Sequence, residues 1–237
     1  MRQLTILVLA CILLTSCGEE EKPKVIYPEQ GNDDLQELKK DSTLIEIADL
    51  PIHIDSTKYL IHPIGAYQWF GSRSEYYNWS NDGYGSFKFS GYNNYQITGN
   101  LSNLKFEHID SGITTALTER NIRIVSVNFL IEVYKKLGEH VLIYRVLDQD
   151  TNRDNQLNRS DISSLYISKM DGTNFKKLTA AYHELIDWNV VLIKNRLYFR
   201  SAEDTNKNGS FDEEDKIYYQ FIDLVDKEWT VKQYNPL

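Results

Sequence analysis

The chain has 237 residues, 41% of them hydrophobic, and a formal charge of −8 with a pI near 5.2. That length suits one globular domain or two small ones, and the acidic balance excludes a nucleic-acid binder, because no basic stripe exists to neutralise phosphates. Sixteen Tyr, nine Phe and four Trp against two Met favour strands over helices. His53, His62, His108, His140 and His183 are scattered, with no pair at metal-site spacing.

Arg2 precedes an apolar run, Leu4 to Leu14, broken only by Thr5. The run is too short to span a bilayer and suits the core of an export signal. It ends in Leu14-Thr15-Ser16-Cys17, which resembles the lipobox of bacterial lipoproteins. That resemblance implies cleavage after residue 16, a diacylglycerol on the Cys17 thiol and a membrane-anchored lipoprotein. The alternative is a plain secretory signal in which Cys17 is incidental. Cleavage removes Cys11 and Arg2, leaving one cysteine, no disulfide in the body and a charge of −9 instead of −8. Gly18-Glu19-Glu20-Glu21 is similar to the acidic surface-export signal of lipoproteins in one Gram-negative phylum, or else is a solvated tether. The expected location is the outer membrane, on its periplasmic or cell-surface face. Residues 17–43 are polar and read as a tether, which leaves 44–237 for the body.

Within the body, residues 44–58 can contribute a further repeat unit beyond those that follow, or else the sheets form an open or oligomeric arrangement. Tyr67 to Tyr95 is crowded with aromatic residues mixed with Gly, Asn and Ser. Such rings fill a core or form a stacking platform for sugar or peptide. Trp69, Tyr77 and Trp79 are the candidate ligand-binding residues there.

Strand patterns follow at Tyr95–Gly99, Ile122–Val133, Val141–Leu147, Leu185–Ile193 and Leu197–Arg200. Between them lie two strand-turn-strand units of matching length, 104–118 and 165–179, each turning at Asp-Ser-Gly or Asp-Gly and closing on Leu-Thr, with a looser copy at 218–232. The segment LYISKMDGTNFKKLT resembles the blade signature of TolB-type β-propellers. The expected fold is therefore all-β, built of antiparallel four-stranded repeats, propeller-like and incomplete or open, since only about three blades are apparent and closure needs about four. An unrelated β-meander is the alternative.

Two twelve-residue stretches, Asp150 to Asp161 and Asp204 to Asp215, repeat one pattern of oxygen-bearing residues. A hard cation takes six to eight oxygens, which a tight loop supplies from its positions 1, 3, 5 and 12 and from a backbone carbonyl at 7. The candidate metal residues are Asp150, Asn152, Asp154, Gln156 and Asp161 in the first loop, and Asp204, Asn206, Asn208, Ser210 and Asp215 in the second. Asn155 and Gly209 fall at the sharp sixth position, and Leu157 and Phe211 at the eighth. These stretches resemble EF-hand calcium loops, with Asp in place of Glu at position 12 and strand-like flanks in place of helices. Calcium is the implied ion and its role structural. Arg153 and Arg159 reduce the charge of the first loop, so the second is expected to bind more tightly. Asn- and Asp-rich turns without an ion are the alternative.

No G-x-S-x-G elbow, P-loop, H-E-x-x-H or dinucleotide fingerprint occurs, and no catalytic residue is assigned. The leading expectation is a non-catalytic, lipid-anchored binding or scaffold protein of the envelope, with an envelope protein or a glycan as partner. A carbohydrate-binding or glycan-degrading surface lipoprotein is the alternative.

Overall fold

A computed structural model describes residues 23–28, 38, 44–70, 73–75 and 88–237. Strands dominate: β1 (Leu44–Ala48), β2 (Ile52–His53), β3 (Tyr59–Phe70), β4 (Arg73–Glu75), β5 (Ser90–Asn93), β6 (Gln96–Leu101), β7 (Asn103–His108), β8 (Thr114–Ala116) and β9 (Arg123–Phe129). After the helix α1 (Ile131–Leu137) come β10 (Val141–Leu147), β11 (Ser164–Lys169), β12 (Lys176–Lys177), β13 (His183–Val191), β14 (Arg196–Glu203), β15 (Lys216–Asp223) and β16 (Lys232–Gln233). They form three sheets with every pairing antiparallel.

The third sheet is a plain meander, β13-β14-β15-β16. The second contains the same meander, β9-β10-β11-β12, widened at β9 by β6 and β5. The first runs β1-β3-β7-β8, with β2 and β4 also paired to β3. Residues 44–58 supply two strands of the first sheet, β1 and β2, both paired to β3.

Sheet two is the central layer. Its strand β10, sequence VLIYRVL, has little polar character on either face because both faces are covered. Leu142, Tyr144 and Val146 enter one core with Ile61, Leu104 and Phe106 of sheet one. Val141 and Ile143 point the other way, into a second core with Leu185, Leu197, Phe199 and Ile222 of sheet three. Period-two alternation thereby sends successive residues of one strand into two cores.

Two details depart from the sequence pattern. The strand expected over 122–133 stops at Phe129, and Ile131–Leu137 is helical. Here the residues switch to a helical spacing, with Val133 buried in the second core and Tyr134 packed on the first. Glu132 pairs with Lys135 at 2.6 Å one turn on, and Gly138 ends the helix in a left-handed conformation (φ 74°). The strand at 95–99 also does not belong with the hairpin that follows it. β6 pairs with β9 in sheet two, whereas β7 and β8 join sheet one. The chain changes sheets at Ser102, whose N–H donates to the Ile64 carbonyl at 2.8 Å.

Candidate functional site: two aspartate-rich loops beneath an N-terminal strap

Both twelve-residue stretches connect adjacent antiparallel strands. The first leads from β10 to β11 and the second from β14 to β15, so strands flank each on both sides. Positions 4 and 6 are left-handed in each: Arg153 (φ 58°) and Asn155 (φ 64°), then Lys207 (φ 57°) and Gly209 (φ 83°). Asn tolerates that region better than most residues and Gly enters it freely, which explains why those two types stand at the sharp bend.

The hydrogen bonds repeat with the same register. Asp150 accepts from the N–H of Asp154 at 3.1 Å and of Asn155 at 2.8 Å; Asp204 accepts from Asn208 at 3.2 Å and Gly209 at 2.8 Å. Asp161 accepts from Thr151 at 2.8 Å and Asn158 at 2.9 Å, and Asp215 accepts from Thr205 at 3.0 Å and Asp212 at 2.9 Å. Asn152 and Asn206 each accept from the N–H two residues on, at 3.0 and 2.9 Å, as do Asp154 and Asn208 at 2.8 and 2.7 Å. The terminal carboxylates therefore tie each loop into one compact turn. Leu157 and Phe211, at the eighth positions, are half-buried.

The first loop is the more deeply set, with Asp161 fully buried and Asp215 half-exposed. Burial pushes the Asp161 carboxyl above its usual range, opposed by its three backbone N–H donors, while the neighbouring Asp150 charge pushes the same way as burial. The side-chain donors along both loops are oxygens of carboxylate, amide and hydroxyl groups, the chemistry that suits a hard cation. An ionised carboxylate offers about four lone-pair sites, so the two N–H bonds to Asp150 do not saturate it, whereas Asp161 already accepts three N–H bonds and the Thr151 hydroxyl. Among the described residues, no group of three or more His, Cys, Asp or Glu side chains is placed to hold a metal ion.

The segment Pro23–Pro28, within the stretch read as a tether, lies across both loops. The N–H groups of Lys24 and Val25 donate to the Gly209 carbonyl at 2.6 and 3.1 Å. The Ile26 N–H donates to the Thr151 carbonyl at 2.8 Å, and the Thr151 hydroxyl donates back to the Lys24 carbonyl at 2.8 Å. Val25 is buried, Lys24 pairs with Glu184 at 3.0 Å, and the Tyr27 ring lies 5.5 Å from that of Tyr182. Burial and a hydrogen bond to Asp204 push the Tyr27 hydroxyl well above its ordinary pKa. The strap also explains Gly209: a Cβ there would lie 2.4 Å from the Val25 carbonyl oxygen and 2.6 Å from Pro23 Cβ. The sequence signal was available, since Val25-Ile26-Tyr27 is an apolar run between two prolines.

Trp69 stands in β3, and its side chain, like Tyr77, Trp79 and Cys17, lies outside the described residues. Among the described residues, a cleft of about 640 Å³ is lined by Ile47, Leu50, Pro51, Ile52 and Tyr92. Its one carboxylate, Asp49, already accepts from the N–H groups of Phe89 and Ser90 and from the Ser90 hydroxyl, at 2.6 to 3.1 Å. It acts as a structural clamp between β1 and β5. No helix among the described residues is long and apolar enough to cross a membrane.

No family model and no curated protein matches the chain. Among solved structures, it is similar to a protein of Agrobacterium tumefaciens given the provisional name TolB, at 13% identity and a TM-score of 0.33 over 81% of this chain. The match spans about three fifths of that structure's length, 61%. The described sheets themselves define the class: an all-β protein of antiparallel sheets with two like-built loops on one side.

Proposed function

We propose that this is a lipid-anchored, non-catalytic binding or scaffold protein of the cell envelope, with a propeller-like repeat body braced by structural calcium. The lipobox-like Leu14 to Cys17 supports the anchor, and the paired meanders support the repeat reading. The observation that carries the calcium reading is the residue-by-residue match of the two loops in backbone handedness and carboxylate bonding, at equivalent places in consecutive sheets. Asp150, Asn152, Asp154 and Asp161 would hold one ion, with the Gln156 backbone carbonyl. Asp204, Asn206, Asn208 and Asp215 would hold another, with that of Ser210. Because strands rather than helices flank the loops, ion binding braces the turn and drives no helix rearrangement.

Calorimetric titration with calcium tests this on the wild type and on Asp150→Ala combined with Asp204→Ala. The wild type should bind with a Kd on the order of 10⁻⁴ to 10⁻³ M, typical of extracellular modules, and the double variant should not. At a hundredfold excess over Kd, each site adds about 2.7 kcal/mol to stability. Absence of both binding heat and thermal stabilisation in the wild type removes the calcium reading.

The aromatic stretch Tyr67 to Tyr95 supports a second reading, a carbohydrate-binding or glycan-degrading lipoprotein. A glycan array run beside turnover assays separates the two, since released product overturns the non-catalytic assignment.

A further inference from the structure

We infer that the strap turns the loop face toward the bilayer, making the 150–161 and 204–215 loops a surface held against the lipid headgroups. This rests on the proposed acylation of Cys17 and goes beyond it, because an anchor alone fixes no orientation. Six residue steps separate Cys17 from Pro23, a reach of at most about 22 Å when fully extended. At Pro23 the chain is already fixed, since the following backbone bonds to Gly209 and Thr151 and Val25 is buried. The acyl chains would therefore enter the membrane within that reach of Pro23, which sits against Gly209 of the second loop, with the first loop met three residues further along the strap at Ile26.

The opposite end of the third sheet is farther by the length of a strand. β14 runs from Arg196 to Glu203, so Ile193, 85% exposed beyond its start, lies about 23 Å from the loop end along the strand direction. Among described tether residues, the next on the body is Leu38, whose carbonyl accepts from Asn121 Nδ2 at 3.1 Å. Without the strap, that contact would leave a leash of 21 steps, about 75 Å at full extension. Such a leash would let the body tumble.

Charge does not draw this face to a membrane. Asp212, Glu213 and Glu214 are exposed there, and they repel anionic headgroups. The covalent leash and its docking hold the face in place, so the body without its acyl chains should not bind vesicles.

The test uses the acylated mature protein in vesicles of phosphatidylethanolamine and phosphatidylglycerol carrying a headgroup acceptor dye. Donor dyes are placed on Arg159→Cys, Glu213→Cys or Ile193→Cys, and energy transfer gives the height of each above the headgroups. Both loop sites should lie roughly 20 Å closer to the acceptor plane than Ile193, about one strand length. In Val25→Asp, which expels the strap from its buried seat, that difference should collapse while the melting curve shows a folded body. Equal heights in the acylated wild type, or a difference that survives in folded Val25→Asp, overturn the inference. Failure to incorporate acyl chain at Cys17, scored separately by mass, overturns the anchor and the orientation together.

Discussion

Gly172, at the turn of the β11–β12 hairpin, lies directly against the ring of Phe106 on β7 of the neighbouring sheet. Its φ is +79°, and a Cβ there would stand 2.6 Å from Phe106 Cε2. The turn of one hairpin unit thus rests on the central aromatic of the other, and the absent side chain is required twice over, by conformation and by contact. Gly172→Ala should cost roughly 1–3 kcal/mol in urea unfolding. Pairing it with Phe106→Leu should cost less than the two single losses added, because the smaller side chain relieves the overlap. Simple additivity would show that the contact is unimportant.

Asp148 sits just before the first acidic loop, almost fully buried. It accepts from Ser164 Oγ at 3.0 Å, Tyr166 Oη at 2.8 Å and Lys177 Nζ at 2.8 Å. Removing one member of a buried ion pair leaves the other uncompensated, which costs about 3–5 kcal/mol. Lys177 keeps some exposure, so Asp148→Ala should fall near the lower figure. Ser164→Ala, which removes one neutral donor, should cost about 1 kcal/mol. Chemical denaturation of the two variants gives the comparison.

His183 supplies a pH dependence. Burial holds its imidazole below the ordinary value, aided by Lys177 and Lys216 and opposed by Glu203. Its ring nitrogen Nδ1 lies 3.2 Å from the Ser201 hydroxyl. The folded state thus resists the proton more than the unfolded chain does. This stabilising contribution is present above the unfolded pKa of about 6.5 and is lost as pH falls through the lower folded value. Melting temperatures recorded from pH 7.5 to 5 should fall less steeply for His183→Gln than for the wild type. Parallel slopes would place the titration elsewhere.

Cys17→Ala should abolish acyl labelling and shift the protein from the membrane fraction to the soluble one. Two or three acyl chains would contribute about 0.8 kcal/mol for each buried CH₂, far more than an acidic body gains from headgroups. Labelling that persists in the variant would refute lipidation at this cysteine.

The amino-acid sequence by itself determined the strand-rich body, the Asp-Gly and Asp-Ser-Gly hairpins and the placement of both acidic loops between strands. Those features are local: a left-handed bend needs Asn155 or Gly209, and a carboxylate bonds N–H groups a few residues away wherever the loop sits. What only the tertiary structure decided is which elements meet. β6 joins β9 rather than β7, residues 131–137 form a helix where the strand pattern of the sequence runs to 133, and Val25, within the tether, settles on Gly209. Each is a choice among apolar surfaces of similar pattern, and burial favours whichever partner completes a core. That preference depends on the packed neighbours, so no window along the chain contains it.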